Sequence, residues 1–388
     1  MRSRLRVIVT GLIAQYPLGG VTWDYVQYLL GFARLGHDVY YLEDTGQWPY
    51  NPVAGALGAD CAYNVGYLAK VMSRFGLDDR WAYRFADKAR RKSEWFGLSD
   101  LDRAAVVESA DLLVNLSCAL ERCERYRRVS RLVLIDTDPV FTQIKLARGQ
   151  RDFAAQVDAH DAHFSFGECL SDRIPRTGHR WRATRQPIVL SEWRPAATPR
   201  NVVTTVMNWT SYRSVAYGGQ SYGQKDVEFM RFLELPGLVS PTVLEVAVGP
   251  GKTRRTPREL LTHKGWRVVD PARVCPDVDR YRDYIQSSLA EWSVAKNGYV
   301  VGRPGWFSGR SACYLAAAKP VIVQDTGVGT VLPVGQGILT FDTLEAAADA
   351  IREVESDYDR HARAAREIAE ACFDSGKVLS RLLEEALD

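Results

Sequence analysis

The chain has 388 residues, 46% of them apolar and 25% charged. A single hydrophobic core stops growing near about 250 to 300 residues, so two packed lobes are expected, and the composition excludes fibrous and intrinsically disordered chains. Fifty basic against forty-seven acidic residues leave a net charge of +3, too even a balance for a nucleic-acid binder. No apolar run approaches the roughly 20 residues of a membrane span, and residues 5–11 are too short for a secretory core, which predicts a cytoplasmic protein. Forty Arg against ten Lys fits the coding bias of a high-GC bacterium. Seven Cys at 61, 118, 123, 169, 275, 313 and 372 contain no CxxC pair, so neither a disulfide framework nor a zinc site is indicated.

Residues 5–11 (LRVIVTG) form a β-branched apolar run closed by glycine, the pattern of a strand buried on both faces of a parallel sheet. A loop over 12–21 leads to Thr22, a capping residue type, and to an amphipathic helix predicted over 22–35. Residues 38–42 (DVYYL) make the next strand and end on Glu43, Asp44 and Thr45, completing a strand–helix–strand crossover. Short strands follow at 111–116, 131–135 and 163–166. Residues 51–99 read as a largely helical, aromatic-rich insertion over the C-terminal edge of the sheet. The Pro-interrupted stretch 187–199 is the linker candidate.

The same alternation then restarts. Strands are expected at 202–207, 242–248, 266–269, 289–293, 320–324 and 338–341, with helices at 226–233, 257–263, 281–285, from about 311, and at 345–353. Amphipathic helices at 358–372 and 377–387 close the chain. The predicted domains are 1–195, 196–357 and a closing pair 358–388 that partly returns to the first lobe. Two α/β lobes joined by a hinge make the cleft between them the default active site.

The most informative stretch is 305–329, GWFSGRSACYLAAAKPVIVQDTGVG. Glycines and hydroxyls lead into a helix N-terminus, whose free amides and positive dipole end favour an anion. The strand VIVQ then delivers Asp325, Thr326 and Gly327 to the same edge. A plain alternative is that Ser308 and Ser311 only cap a helix and Asp325 only closes a turn.

This order of polar residues, helix, Leu-Ala-small-small-Lys-Pro-Val-Ile, strand and Asp-Thr-Gly resembles the donor half of nucleotide-sugar glycosyltransferases with the GT-B fold. The resemblance covers residues 202–388, and the first lobe in its strand order and glycine-rich first loop. It implies two Rossmann-like, doubly wound α/β lobes facing a cleft. It also implies that Ser308, Gly309, Arg310 and Ser311 meet the donor diphosphate and that Gln324, Asp325 and Thr326 meet the sugar. Lys225 takes the place of a basic residue facing the diphosphate, and Val268, Val269 and Asp270 fall where the base is held. Asn208, Lys296 and Arg303 complete the donor set. Retaining members of the related group carry two glutamates eight residues apart around this helix, and Gly305 and Cys313 stand at those positions here.

Acceptor-side candidates are Gln15, Tyr16, Gly19, Gly20, Glu43, Asp44 and Glu168, at the ends of first-lobe strands. Gly19 and Gly20 allow close backbone approach to a ligand. The first loop holds no histidine, so Asp24, Asp136 and Asp138 are the candidates for general base or acceptor contact. Asp136 and Asp138 in LVLIDTDPVF also resemble the metal-binding pair of GT-A glycosyltransferases, a lesser, metal-dependent alternative. In VAVGPGKT, Val246 stands where a phosphate-binding P-loop needs glycine, which leaves Lys252 as a cation at the cleft lip. His160 and His163 lack the Glu of a zinc hydrolase motif and read as a solvated helix end.

The expected function is metal-independent hexosyl transfer from a nucleoside-diphosphate sugar to a small-molecule acceptor, with no cofactor, no nucleic acid and a possible homodimer. Trp23, Tyr25, Trp48, Tyr50, Tyr63, Tyr67, Trp81 and Trp95 suit an aromatic, natural-product acceptor, although aromatics are also ordinary core material. The rival reading is a non-catalytic nucleotide-sugar-binding or interaction protein on the same fold.

Overall fold

The first apolar run becomes strand β1 (Arg6–Thr10), and Gly11 approaches the Tyr25 ring so closely that a Cβ there would lie 2.4 Å from the ring edge. The computed structural model describes residues 4–87, 90, 92–170, 172–195 and 199–388. In chain order the first lobe adds β2 (Asp38–Glu43), β3 (Tyr50–Asn51), β4 (Ala56–Leu57), β5 (Trp81–Asp87), β6 (Lys92–Gly97), β7 (Leu112–Leu116), β8 (Leu132–Asp136), β9 (Ala162–Ser165) and β10 (Trp181–Ala183). Eight of these form one sheet in the order β10-β9-β8-β7-β1-β2-β5-β6, parallel throughout except for the β5–β6 pair. β1, β7 and β8 are almost wholly buried because helices cover both faces.

The second lobe contains β11 (Val202–Met207), β12 (Val215–Tyr217), β13 (Gln220–Tyr222), β14 (Val243–Val248), β15 (Arg267–Val269), β16 (Ala290–Ser293), β17 (Val321–Gln324) and β18 (Ile338–Phe341). Its parallel sheet runs β15-β14-β11-β16-β17-β18. Trp209, Phe229, Trp266, Trp292 and Phe341 pack as neighbouring rings beside this sheet, with Trp292 and Phe341 stacked at 5.4 Å.

Several expectations change. The first helix spans Gly19–Arg34, three residues earlier than predicted, because Thr22 is not its cap: the buried Thr22 hydroxyl donates to the Leu18 carbonyl at 2.9 Å from inside the helix. The 51–99 stretch holds the Ala62–Arg74 helix, but its second half is the β5–β6 hairpin that ends the sheet, since Tyr83, Phe85 and Ala86 find partners across the strand pair. Residues 297–302, for which no element was predicted, form a short helix. The linker is docked over its described part. Ile188 N donates to Phe373 O and Ser375 N donates to Ile188 O, and Trp193 is fully buried against Trp23. The predicted boundary at 195/196 adjoins residues 196–198, which lie outside the described residues.

The closing helices Tyr358–Cys372 and Ser375–Leu387 pack respectively on the Gly309–Ala316 helix of the second lobe and on the Gly19–Arg34 helix of the first. No helix among the described residues is long and apolar enough to cross a membrane.

Candidate functional site

The loops at the C-terminal ends of β1, β7, β8, β11 and β16, together with the start of the Gly309–Ala316 helix, enclose a cleft of about 440 Å³ between the lobes. The second-lobe wall is cationic. Ser308 precedes the helix without a side-chain cap, and the amides of Gly309, Arg310 and Ser311 make no hydrogen bond among the described residues. Three cations stand around this helix end. Arg310 is held by the fully buried Glu291 carboxylate and donates to the Val206 carbonyl at 2.7 Å. Lys296 pairs with Asp138 at 2.8 Å. Lys225 makes no hydrogen bond or ion pair among the described residues, and burial, with Arg310 and Lys296 close by, pushes its ammonium well below the ordinary range. The indole N–H groups of Trp209 and Trp306, both lining the cleft, are also buried without a partner. The wall thus presents donors in excess of acceptors, which is the demand an anion satisfies.

Asp24, one turn into the first helix, faces this wall. A Cβ on Gly309 would lie 3.2 Å from the Asp24 Oδ1, so the two lobes approach tightly here. The carboxylate opens to the cleft's water, yet the surrounding protein raises its pKa to about 7, while nearby Arg310 pulls it down. It is a carboxylate poised to exchange a proton near neutrality.

Of the donor-side candidates, the cleft gathers Asn208, Lys225, Lys296, Ser308, Gly309 and Arg310. Ser311 lies fully buried behind them, its hydroxyl unpartnered. The others are engaged elsewhere. Gln324 is buried between Glu228 and the Ala295 amide, Asp325 pairs with Arg303 at 2.7 Å and accepts from Gly327 N, and Thr326 donates to the Trp306 carbonyl at 2.6 Å. Val269 packs against the core and Asp270 caps the Pro271–Val274 helix through Ala272 N at 3.0 Å; Pro271 and Cys275 line the cleft in their place.

On the acceptor side only Gly20 lines the cleft. The Gly19–Gly20 pair serves contact between lobes: a Cβ on Gly19 would meet the Asp277 carbonyl at 2.2 Å, and one on Gly20 the Tyr281 ring at 2.9 Å. Glu43 is fully buried and accepts from the Ala14 and Gln15 amides, so it holds the first loop. Gln15 bonds Trp48 and Thr45; Asp44 is neutralised by Arg84 and bonded by Tyr126; Glu168 is paired with Arg185 at 2.6 Å. Tyr16 sits under Lys252, whose ammonium is 5.2 Å from its ring centre and 3.4 Å from its hydroxyl, a contact between the lobes.

Of the three catalytic candidates, Asp136 is buried, accepting from Thr142, Ser165 and the Asp138 amide, and it does not line the cleft. Asp138 lines it but is taken up by Lys296, Tyr212 and Tyr299. Each carboxylate of the pair has its own protein partners, and among the described residues no group of three His, Cys, Asp or Glu side chains is arranged to hold a metal ion. Trp23 and Trp81 are core residues, whereas Tyr25 is buried and also lines the cleft. Residues that the sequence reading missed are Tyr212, Tyr281, Tyr299, Trp306 and Gln186, the last donating to the Asp24 carbonyl at 2.9 Å. Aromatic side chains carry no motif, and only the pairing of the lobes puts these here.

No protein-family model matches the chain, and no curated protein matches it. Solved structures do. An alpha-glucosyltransferase (AGT) in complex with UDP is similar over 99% of this chain and 100% of its own, at 12% identity and a TM-score of 0.61. Anabaena Alr3699/HepE in complex with UDP and glucose is similar over 98% and 99%, at 11% identity and a TM-score of 0.54. AviGT4, a glycosyltransferase involved in avilamycin A biosynthesis, is similar over 98% and 97%, at 12% identity and a TM-score of 0.51. The chain has the GT-B fold, two Rossmann-like lobes facing a cleft.

Proposed function

We propose that the protein transfers a glycosyl group from a nucleoside-diphosphate sugar to a small-molecule acceptor, without a metal ion. The observation that carries this reading is the anion-seeking wall: three unpaired amides at the Gly309–Ala316 helix end, with Arg310 and the unpartnered Lys225 lining the same cleft and Asp24 close to Gly309. The second lobe then holds the diphosphate, and the acceptor enters over the first helix.

In this reading the Asp24 carboxylate takes the proton of the acceptor hydroxyl as that oxygen bonds to the anomeric carbon. The bond from that carbon to the diphosphate oxygen breaks, its electron pair leaving with the nucleoside diphosphate. The helix amides, Lys225 and Arg310 stabilise the charge that develops there, the role a divalent ion fills in metal-dependent transferases.

A panel of UDP-, dTDP- and GDP-sugars, incubated with phenolic and sugar acceptors, tests the reading. Donor consumption that persists in EDTA supports it. A protein that binds nucleoside diphosphates but never consumes a donor is the non-catalytic alternative. Because AGT has been solved in complex with DNA, a DNA duplex belongs in the acceptor panel, and transfer to it alone would replace the small-molecule acceptor.

A further inference from the structure

At the floor of the cleft, the turn that follows β8 crosses from the first lobe into the second. Asp138 lies on this turn, and its carboxylate accepts from three second-lobe groups: the Lys296 ammonium at 2.8 Å and the Tyr212 and Tyr299 hydroxyls. The same ammonium lies 5.2 Å from the ring centre of Phe141, 4.7 Å from that of Tyr212 and 5.4 Å from that of Tyr299. Phe141 belongs to the first lobe and stands edge-on to both tyrosines, at 5.1 and 5.8 Å between centroids. The charged pair is therefore walled by aromatic rings, where its attraction is less screened than in water.

The backbone is shaped for the same contact. Val140 has φ 67° and ψ −61°, and Phe141 N donates to the Pro139 carbonyl at 2.7 Å, which makes a tight three-residue turn of the strained hand. A β-branched residue adopts this backbone only where its surroundings impose it. On the second lobe, Gly298 and Gly302 stand four residues apart on the Asn297–Gly302 helix and present one bare face. A Cβ on Gly298 would lie 2.6 Å from the Phe141 ring, and one on Gly302 would lie 2.9 Å from Val140. The turn and the glycine face fit as wedge and seat.

We infer that this wedge is a latch between the lobes, in which Asp138 is a positioning residue that holds Lys296 at the cleft floor and keeps the lobes closed. Asp138 cannot serve as the base while three second-lobe donors occupy its carboxylate, and that leaves the proton transfer to Asp24. Opening the cleft requires breaking the Asp138–Lys296 pair and withdrawing Phe141 from Gly298. An anion held at Lys225, which lines the same cleft as Lys296 and feels its charge, would compete for the Lys296 ammonium.

The latch is made of contacts within the chain, so its test needs no turnover and its failure leaves the transfer reading standing. Small-angle scattering and hydrogen exchange on the whole protein are compared for the wild type, Asp138→Asn, Lys296→Met and Gly298→Ala. The Gly298→Ala variant guards against misfolding, because alanine favours that helix by itself and obstructs only the docking of Phe141. Each variant is expected to have a larger radius of gyration and roughly tenfold faster exchange at the amides of residues 141–147. The charge swap Asp138→Lys/Lys296→Asp is expected to be more compact than either single reversal. Unchanged scattering and exchange in both Asp138→Asn and Gly298→Ala would overturn the latch.

Discussion

At the scale of single residues, the cleft joins two groups that titrate out of their ordinary ranges for opposite reasons. Lys225 is pressed toward the neutral form by burial and by two neighbouring cations, so an arriving diphosphate should restore its proton. Binding of a nucleoside diphosphate at neutral pH is therefore expected to take up protons, read as a dependence of calorimetric enthalpy on the ionisation enthalpy of the buffer. Lys225→Met should abolish the uptake and weaken binding roughly 10- to 150-fold, the equivalent of about 1.5 to 3 kcal/mol for a hydrogen bond to a charged group. Asp24, raised to about 7 by the protein packed around it, must lose its proton to act as a base. Turnover should rise with pH and level off above about 7, and Asp24→Asn should lower it by about 10²- to 10⁴-fold and remove that limb from the profile. An Asp24→Asn protein with the wild-type pH profile would exclude this residue as the base. The 308–311 segment was legible in the sequence because a polar run before a small-residue helix is a local signal, and Lys225 through the resemblance to the donor half of GT-B glycosyltransferases. Glu43, Asp44, Asp136 and Glu168 looked like site carboxylates for an equally local reason, their place after strands. Their partners Arg84, Thr142 and Arg185 lie 40, 6 and 17 residues away, and no spacing rule reveals them.

At the scale of elements, β2 shows how a carboxylate at a strand end does structural work. The Tyr41 hydroxyl and the amides of Ala14 and Gln15 all donate to Glu43, so one buried group fixes the loop that leads into the first helix and hence the height of Asp24. Burial raises the Glu43 carboxyl from its ordinary 4.5 to about 7, more than its hydrogen bonds lower it. The folded form then holds a proton that the unfolded chain has released, so this contribution is complete below about pH 4.5 and disappears as pH rises through about 7. The shift corresponds to roughly 3 kcal/mol at about 1.4 kcal/mol per pH unit. Urea denaturation of the wild type between pH 5 and 8 should show this decline, and Glu43→Gln should flatten it; an identical slope in both proteins would assign the decline to other groups. Most elements were legible from alternation and period, because a parallel strand buried on both faces must be apolar along its length. The β5–β6 hairpin and the Asn297–Gly302 helix were not, since aromatic residues serve helix and edge strand alike and a six-residue helix with two glycines has no periodic signature.

At the scale of the whole molecule, the alternation that restarts after residue 200 made two lobes legible, whereas their mutual fit lies in pairs of positions far apart in sequence. The clearest such pair outside the cleft is Gly31 and Leu379. The Ser375–Leu387 helix buries Leu379, Leu382, Leu383 and Ala386, and it lies across the first helix so closely that a Cβ on Gly31 would stand 2.4 Å from the Leu379 Cδ1. Its predecessor, Tyr358–Cys372, lies against the Gly309–Ala316 helix, and the Arg366 guanidinium donates to both the Trp193 and Ala316 carbonyls, so the closing pair ties the first-lobe helix to the one that ends at the anion wall. Leu379→Ala should lower stability by about 2 to 5 kcal/mol, through lost burial and the cavity left behind. Gly31→Ala should lower it by about 1 to 3 kcal/mol, because the new methyl would overlap the Leu379 Cδ1 and crowd the Ser375 Cβ at 3.1 Å. Combined, the two substitutions relieve each other, since the methyl at 31 occupies room vacated at 379. The double variant should therefore lose less than the sum of the singles, by about 0.5 to 3 kcal/mol in a denaturation cycle. Strict additivity would mean that the two helices do not share this contact in solution.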